Sequence, residues 1–158
     1  APSGMNVQPL EFVLVTQPDL CQQVFTTTAW GGRVTPRRTP KPGQEPTAWV
    51  IVLINSQRGN SMGTADAAAA IENMLLTAVD AGLGSCWIGS VQRKELAAIL
   101  NIPDHCTIDS TVALGYPDES PLVEEAAADI AYYLDDNDIL HVPKRKLKDV
   151  LHRERYDS

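Results

Sequence analysis

Three short stretches hold the residue types best placed to do chemistry, and what they offer is ways of holding a ligand. The first is PSGMNVQP, residues 2–9. Ser3 brings a hydroxyl, Asn6 and Gln8 bring amides that both donate and accept, and Pro2 and Pro9 stiffen the frame around Gly4. As a bare octapeptide it reads equally well as a turn before a strand. The second is AGLGSCWIGS, residues 81–90. Gly82 and Gly84 can take backbone angles that other residues avoid, and Ile88 leads into Gly89, which has no side chain to keep a ligand off its backbone. Such a segment suits a flat, polar-edged ring, with Cys86 and Trp87 read as core packing. The third is HVPKRKLKDV, residues 141–150. Pro143 fixes its entry. Lys144 and Arg145 place two cations before a predicted helix, where Arg can grip a phosphate with paired N–H bonds and Lys adds a point charge. The start of that helix would add its dipole.

Other chemistries find no support in the spacing. Gly82, Gly84 and Gly89 stand as G-x-G-x-x-x-x-G after a helix, not as the dinucleotide fingerprint after a strand. Neither a Walker lysine motif nor a G-x-S-x-G elbow occurs. The three cysteines, Cys21, Cys86 and Cys106, and the three histidines, His105, His141 and His152, show no metal or disulfide spacing. No catalytic side chain and no metal site are therefore predicted, a pattern that suits an enzyme whose cofactor does the chemistry. A net charge of −7 argues against a nucleic-acid partner. With no apolar run of the ~18 residues a membrane span needs and no signal peptide, the cysteines read as buried thiols in a reducing cytoplasm.

The elements that must position these stretches follow from periodicity. Residues 11–16 (EFVLVT) read as a strand, 18–25 as a helix opened by Pro18, and 26–46 as a long connection that is functional or mobile. Residues 49–54 (WVIVLI) read as a buried central strand. Thr64 or Asp66 is expected to cap a helix running to Ala81. Its small face, Ala67 to Ala70 with Ile71 and Met74, suggests close packing across an interface. Ser90 is expected to cap a short helix at 93–100, and 107–115 reads as a strand. Residues 122–128 read as a solvated acidic face, with Glu124 and Glu125 not facing each other on a helix. Residues 129–134 and 139–142 flank DDND as a hairpin. Residues 147–156 read as a basic amphipathic helix, with Lys146, Lys148, Arg153 and Arg155 solvated. The mixture lacks strict βαβ alternation, which favours α+β.

Taken in order, PSGMNVQP, GLGSCWIG and HVPKR resemble the FMN-binding nitroreductase family over most of the chain. Pro2, Ser3, Gly4, Asn6 and Gln8 match, whereas Leu10 stands where the family often has Trp. The resemblance implies a single α+β domain over residues 1–158, with a central, mostly antiparallel sheet flanked by helices. It implies a homodimer in which the first segment meets the flavin of the partner subunit. Ile88 and Gly89 would lie at the flavin ring, and Lys144 and Arg145 at the FMN phosphate. The reaction implied is two-step: NADH or NADPH delivers hydride to flavin N5, and a small-molecule acceptor such as a nitroaromatic or quinone then takes the electrons. Trp30, Arg33, Arg37 and Arg38 would shape the acceptor pocket. The family's Arg-rich opening helix has no match here, so the chain is expected to be a domain lacking that helix. A flavin-binding protein without turnover is the alternative from another class. A specialised relative, such as a reductive dehalogenase or flavin-fragmenting enzyme, is a third.

Overall fold

A computed structural model describes residues 1–34, 38–59, 62–127 and 129–156. They fall into two units, one of Ala1–Trp30 and Thr39–Pro117, the other of the described parts of Gly31–Arg38 and Asp118–Ser158.

The first unit is built on four antiparallel strands: β1 (Leu10–Val15), β2 (Ala48–Asn55), β3 (Gly84–Ile88) and β4 (Cys106–Gly115), in the order β1-β2-β4-β3. β2 is apolar almost throughout because both its faces are covered. On one face α2 (Gly63–Asp80) packs Ala67 and Ile71 against Val52 and Val112. Full burial of a side chain like Ile71 contributes about 1.5–3 kcal/mol. On the other face α1 (Pro18–Thr26) and α3 (Arg93–Ile99) bring Val24 and Leu96 to Trp49, Ile51 and Leu53. Among the described residues no helix is long and apolar enough to cross a membrane. The α+β class and the central antiparallel sheet flanked by helices are as expected.

Several local expectations give way. α2 starts at Gly63, ahead of both expected caps. A Cβ on Gly63 would lie 2.8 Å from Ile54 Cγ2, so only glycine lets the helix begin this close to β2. Asp66 is buried and accepts the Gly4 N–H at 3.0 Å. The small face read as an interface is the face α2 turns to its own sheet: Ala67, Ala70 and Ile71 are buried there. Gln92 precedes α3 without a side-chain cap, while the Ser90 carbonyl accepts from Ala29 N at 3.0 Å. The end of α2 follows expectation. Gly82 takes φ +72°, and the bonds Gly82 N to Val79 O (3.0 Å) and Leu83 N to Ala78 O (2.8 Å) close a Schellman motif.

The second unit holds β5 (Leu122–Glu125), β6 (Tyr133–Leu134) and β7 (Leu140–Lys144), with β7 central, parallel to β5 and antiparallel to β6. The expected hairpin is present. The Asp135 carboxylate closes its turn by accepting from Asn137 N and Ile139 N. The stretch from Leu122 to Glu125 is a strand, so the helical reading of its glutamates is corrected; Ala128 lies outside the described residues. The expected C-terminal helix is reduced to one 3-10 turn, Leu147–Asp149. Its apolar residues Leu147, Val150 and Leu151 are all exposed. A short helix without a surface to bury against is marginal in water.

Candidate functional site

The N-terminal segment is wound tightly before β1. Met5, Asn6 and Gln8 have φ of 51°, 55° and 53°. Three non-glycine residues in the left-handed region within four positions carry backbone strain of the kind found at ligand clamps. The surroundings hold the shape. Gly4 N is tied to Asp66, Gln8 N donates to Ser3 Oγ at 3.0 Å, and Asn55 N donates to the Pro9 carbonyl at 2.8 Å. Gln8 Nε2 donates to Asn6 Oδ1 at 3.0 Å, so the two exposed amides brace each other. Their remaining groups, the Asn6 NH2 and the Gln8 side-chain carbonyl, can serve a ring edge on which carbonyl and N–H alternate. Pro2 is exposed beside them. An open cleft of about 370 Å³, lined by Val7, Asn55, Gln57 and Arg58, adjoins this end of the sheet.

The second segment ends β3. Ile88 is buried, and its carbonyl receives Thr111 Oγ1 at 3.5 Å. Gly89 lies just outside, and a Cβ built on it would meet no atom within 4 Å. Cys86 and Trp87, expected in the core, are exposed instead: β3 is an edge strand, and the two residues stand on its opposite faces, Cys86 paired with Ala113 and Trp87 with Val112. The Trp87 indole N–H donates to Ser110 Oγ at 2.8 Å, and that hydroxyl donates to Asp109 Oδ2 at 2.8 Å.

These two segments do not meet within one chain. β1 and β3 are opposite edges of the sheet, three strand spacings of about 4.8 Å apart, or roughly 14 Å. Phe12 is paired with Val52, Leu14 with Val50 and Trp87 with Val112, which puts all three on the α2 face of the sheet. They flank the strip that α2 covers, with exposures of 45%, 65% and 43%; on α2 itself Leu76 and Val79 are 60% and 71% exposed.

Lys144 and Arg145 belong to the second unit, at the exposed end of β7. Among the described residues only a 3-10 turn follows them, so no helix N-terminus of the expected kind stands there. Arg145 Nη2 donates to the Asp149 carbonyl, and Lys146 is paired at the surface with Glu125. Of the residues proposed to line an acceptor pocket, Trp30 packs with Phe25 and Trp49 in the core. Arg38 is engaged by Glu119 and Asp138, the Arg33 N–H donates to the Tyr132 hydroxyl, and Arg37 lies outside the described residues.

Two groupings had no signal in the sequence. Arg93 donates to three backbone carbonyls, those of Gly89, Ile108 and Asp109. In the second unit His141 stacks on Tyr133, with Nδ1 at 2.9 Å from Glu124 Oε2 and Nε2 at 3.7 Å from Asp135 Oδ2. The Glu124 hydrogen bond raises the His141 pKa. The same bond, joined by that from Tyr133, holds Glu124 below its ordinary value. Asp66 could have been suspected, as the lone acid in an alanine run on the apolar side of a helix. Among the described residues no group of three or more His, Cys, Asp or Glu is placed to hold a metal ion.

A family model described as the Nitroreductase family matches residues 1–116. A protein of Archaeoglobus fulgidus with the provisional name NADH dehydrogenase/NAD(P)H nitroreductase is 28% identical, over 99% of this chain and 79% of its own length. Among solved structures, an FMN-dependent nitroreductase from Clostridium difficile R20291 superposes with a TM-score of 0.66 at 19% identity, covering 99% of this chain and 81% of that one. The NADPH:FMN oxidoreductase of Vibrio harveyi, solved with NAD+, gives 0.68 at 19% identity over 100% of this chain and 64% of its own. At these identities the structural likeness is one of fold.

Proposed function

The chain belongs to the nitroreductase family, and from that premise we propose that it is an FMN-dependent NAD(P)H oxidoreductase acting as a homodimer. The observation that carries this reading is the pair of ligand-ready edges: a strained, braced amide pair at Asn6 and Gln8, and an open backbone at Gly89. Both fit a flat ring with polar edges. Bound FMN would supply a centre that accepts hydride from NADH or NADPH and passes electrons to a small acceptor.

The chain's own residues orient and tune. Pro2, Ser3 and Gly4 keep the first segment in its strained shape, and Asn6 and Gln8 address the pyrimidine edge. Ile88 anchors the end of β3 so that the backbone at Gly89 can offer N–H groups to the ring, where donors stabilise charge on the reduced form. Lys144 and Arg145 would hold the phosphate. The separation of the two edges across the sheet supports a site completed by a second copy, each chain lending its N-terminal segment to the other. The apolar residues Phe12, Leu14, Leu76, Val79 and Trp87 form the surface suited to that pairing.

The test is titration of the flavin-free chain with FMN and with riboflavin, followed by anaerobic addition of NADH or NADPH. The expected result is an FMN complex that bleaches with a pyridine nucleotide and recovers its colour with an acceptor. Absence of flavin binding overturns the reading, and binding without reduction by either nucleotide leaves a flavin carrier instead. Removing both charges, Lys144→Ala with Arg145→Ala, should weaken FMN more than tenfold and leave riboflavin unchanged, since each charge-assisted bond to the phosphate is worth about 1.5–3 kcal/mol.

A further inference from the structure

Gly89 has open space where a side chain would stand. A glycine so placed is the least restrained residue a chain can hold, yet a donor is useful to a ring only if it is aimed before the ring arrives. The restraint comes from Arg93, at the start of α3. Its Nη2 donates to the Gly89 carbonyl at 3.2 Å and to the Asp109 carbonyl at 2.6 Å, and its Nε donates to the Ile108 carbonyl at 3.0 Å. Asp109 is the extra residue of a β-bulge: Val52 pairs with Ser110 and Leu53 with Ile108, leaving Asp109 between them. One planar guanidinium thus ties the end of β3 to the kink in β4. The Asp109 carboxylate is held in turn through Ser110 to the Trp87 indole. Because the peptide unit is planar, a fixed Gly89 carbonyl also fixes the direction of the Ser90 N–H.

We infer that Arg93 is a positioning residue, holding the Gly89 peptide in the orientation that serves a flavin ring. The inference rests on the flavin reading of Gly89 given above. Lysine keeps the charge but cannot reproduce the fork, and glutamine keeps one neutral donor, so Arg93→Lys and Arg93→Gln are the informative variants. Three quantities are to be measured beside the wild type: amide exchange at Gly89 and Ser90 in the flavin-free chain, FMN affinity, and the midpoint potential of bound FMN. Both variants should exchange faster at these two amides, bind FMN at least tenfold more weakly and hold it at a lower potential, because the reduced ring loses an aimed donor. A wild type that binds no FMN overturns the flavin reading, and this inference with it. A wild type that binds FMN, with variants of unchanged affinity and potential, overturns the inference alone. Variants that lose affinity only in step with melting temperature, at unchanged potential, show Arg93 to be structural and also overturn it. Should Arg93→Gln not fold, Arg93→Lys decides.

Discussion

Gly89 is the residue at which the sequence said most. Its lack of a side chain was legible, and the open space beside it makes the matching experiment clean. Gly89→Val should leave the flavin-free fold intact, since its Cβ would meet nothing within 4 Å and its φ lies outside the left-handed region. The same change should abolish FMN binding, checked by circular dichroism alongside a flavin titration. Loss of the fold would show instead that Gly89 is needed by the backbone. Asn6 and Gln8 were legible as amides, but not their bracing of each other, which depends on left-handed angles that amide chemistry does not announce. Arg93 was not legible at all: its carbonyl partners lie 4, 15 and 16 positions away. His141 was hidden similarly, its carboxylate partner lying on a parallel strand. Here the pH dependence has two signs. His141 is raised from 6.5, so its contribution is complete below about 6.5 and is lost as pH climbs through the higher folded value. Glu124 is lowered from 4.5, so its contribution is present above about 4.5 and is lost as pH falls through the lower folded value. Amide protection of β5 and β7 should therefore peak between these limits, and His141→Gln should flatten the decline on the alkaline side.

At the scale of elements, periodicity found what packing rewards. α2 was readable because it buries a face that its own sequence repeats, and β2 because its unbroken apolar run is buried on both faces. The start of α2 was not, since it is set by the approach of Gly63 to Ile54 rather than by a capping side chain. The predicted helix at 147–156 had the right period and no surface to meet, so period alone did not make it. Asp66 shows how an element can serve a loop. Its carboxylate is buried in the first turn of α2 and holds Gly4 N. Asp66→Ala should destabilise the chain by about 1.5–3 kcal/mol, the worth of a hydrogen bond to a charged group, through loss of the bond from the part-buried Gly4 N–H. FMN affinity should fall while riboflavin and FMN keep their ratio, because the phosphate contacts proposed for Lys144 and Arg145 do not involve Asp66. A denaturant melt and the two flavin titrations measure this, and a changed ratio would count against the separation of roles.

For the molecule as a whole, the family and the α+β sheet were legible from three motifs in order, while the surface that would join two copies was not. The small-residue face of α2 looked like an interface and is core. The exposed apolar residues lie around it, at Phe12, Leu14 and Trp87 on the sheet and at Leu76 and Val79 on the helix. Leu76→Glu with Val79→Glu should convert a homodimer to monomers in sedimentation and cost FMN affinity without unfolding the chain. A wild type that sediments as an FMN-saturated monomer would remove the shared-site model. The position of β1 at the edge of the sheet has a consequence for solubility. Its sequence, LEFVLV, is apolar but for Glu11, its only charge, includes the strand formers Phe12, Val13 and Val15, and has no proline. An unpaired strand of this kind is a template on which further strands of any chain can grow. Chains held as monomers by the helix substitutions are expected to form cross-β aggregates faster than paired ones. Aggregation rate against protein concentration would then fall, rather than rise, across the range where copies begin to pair.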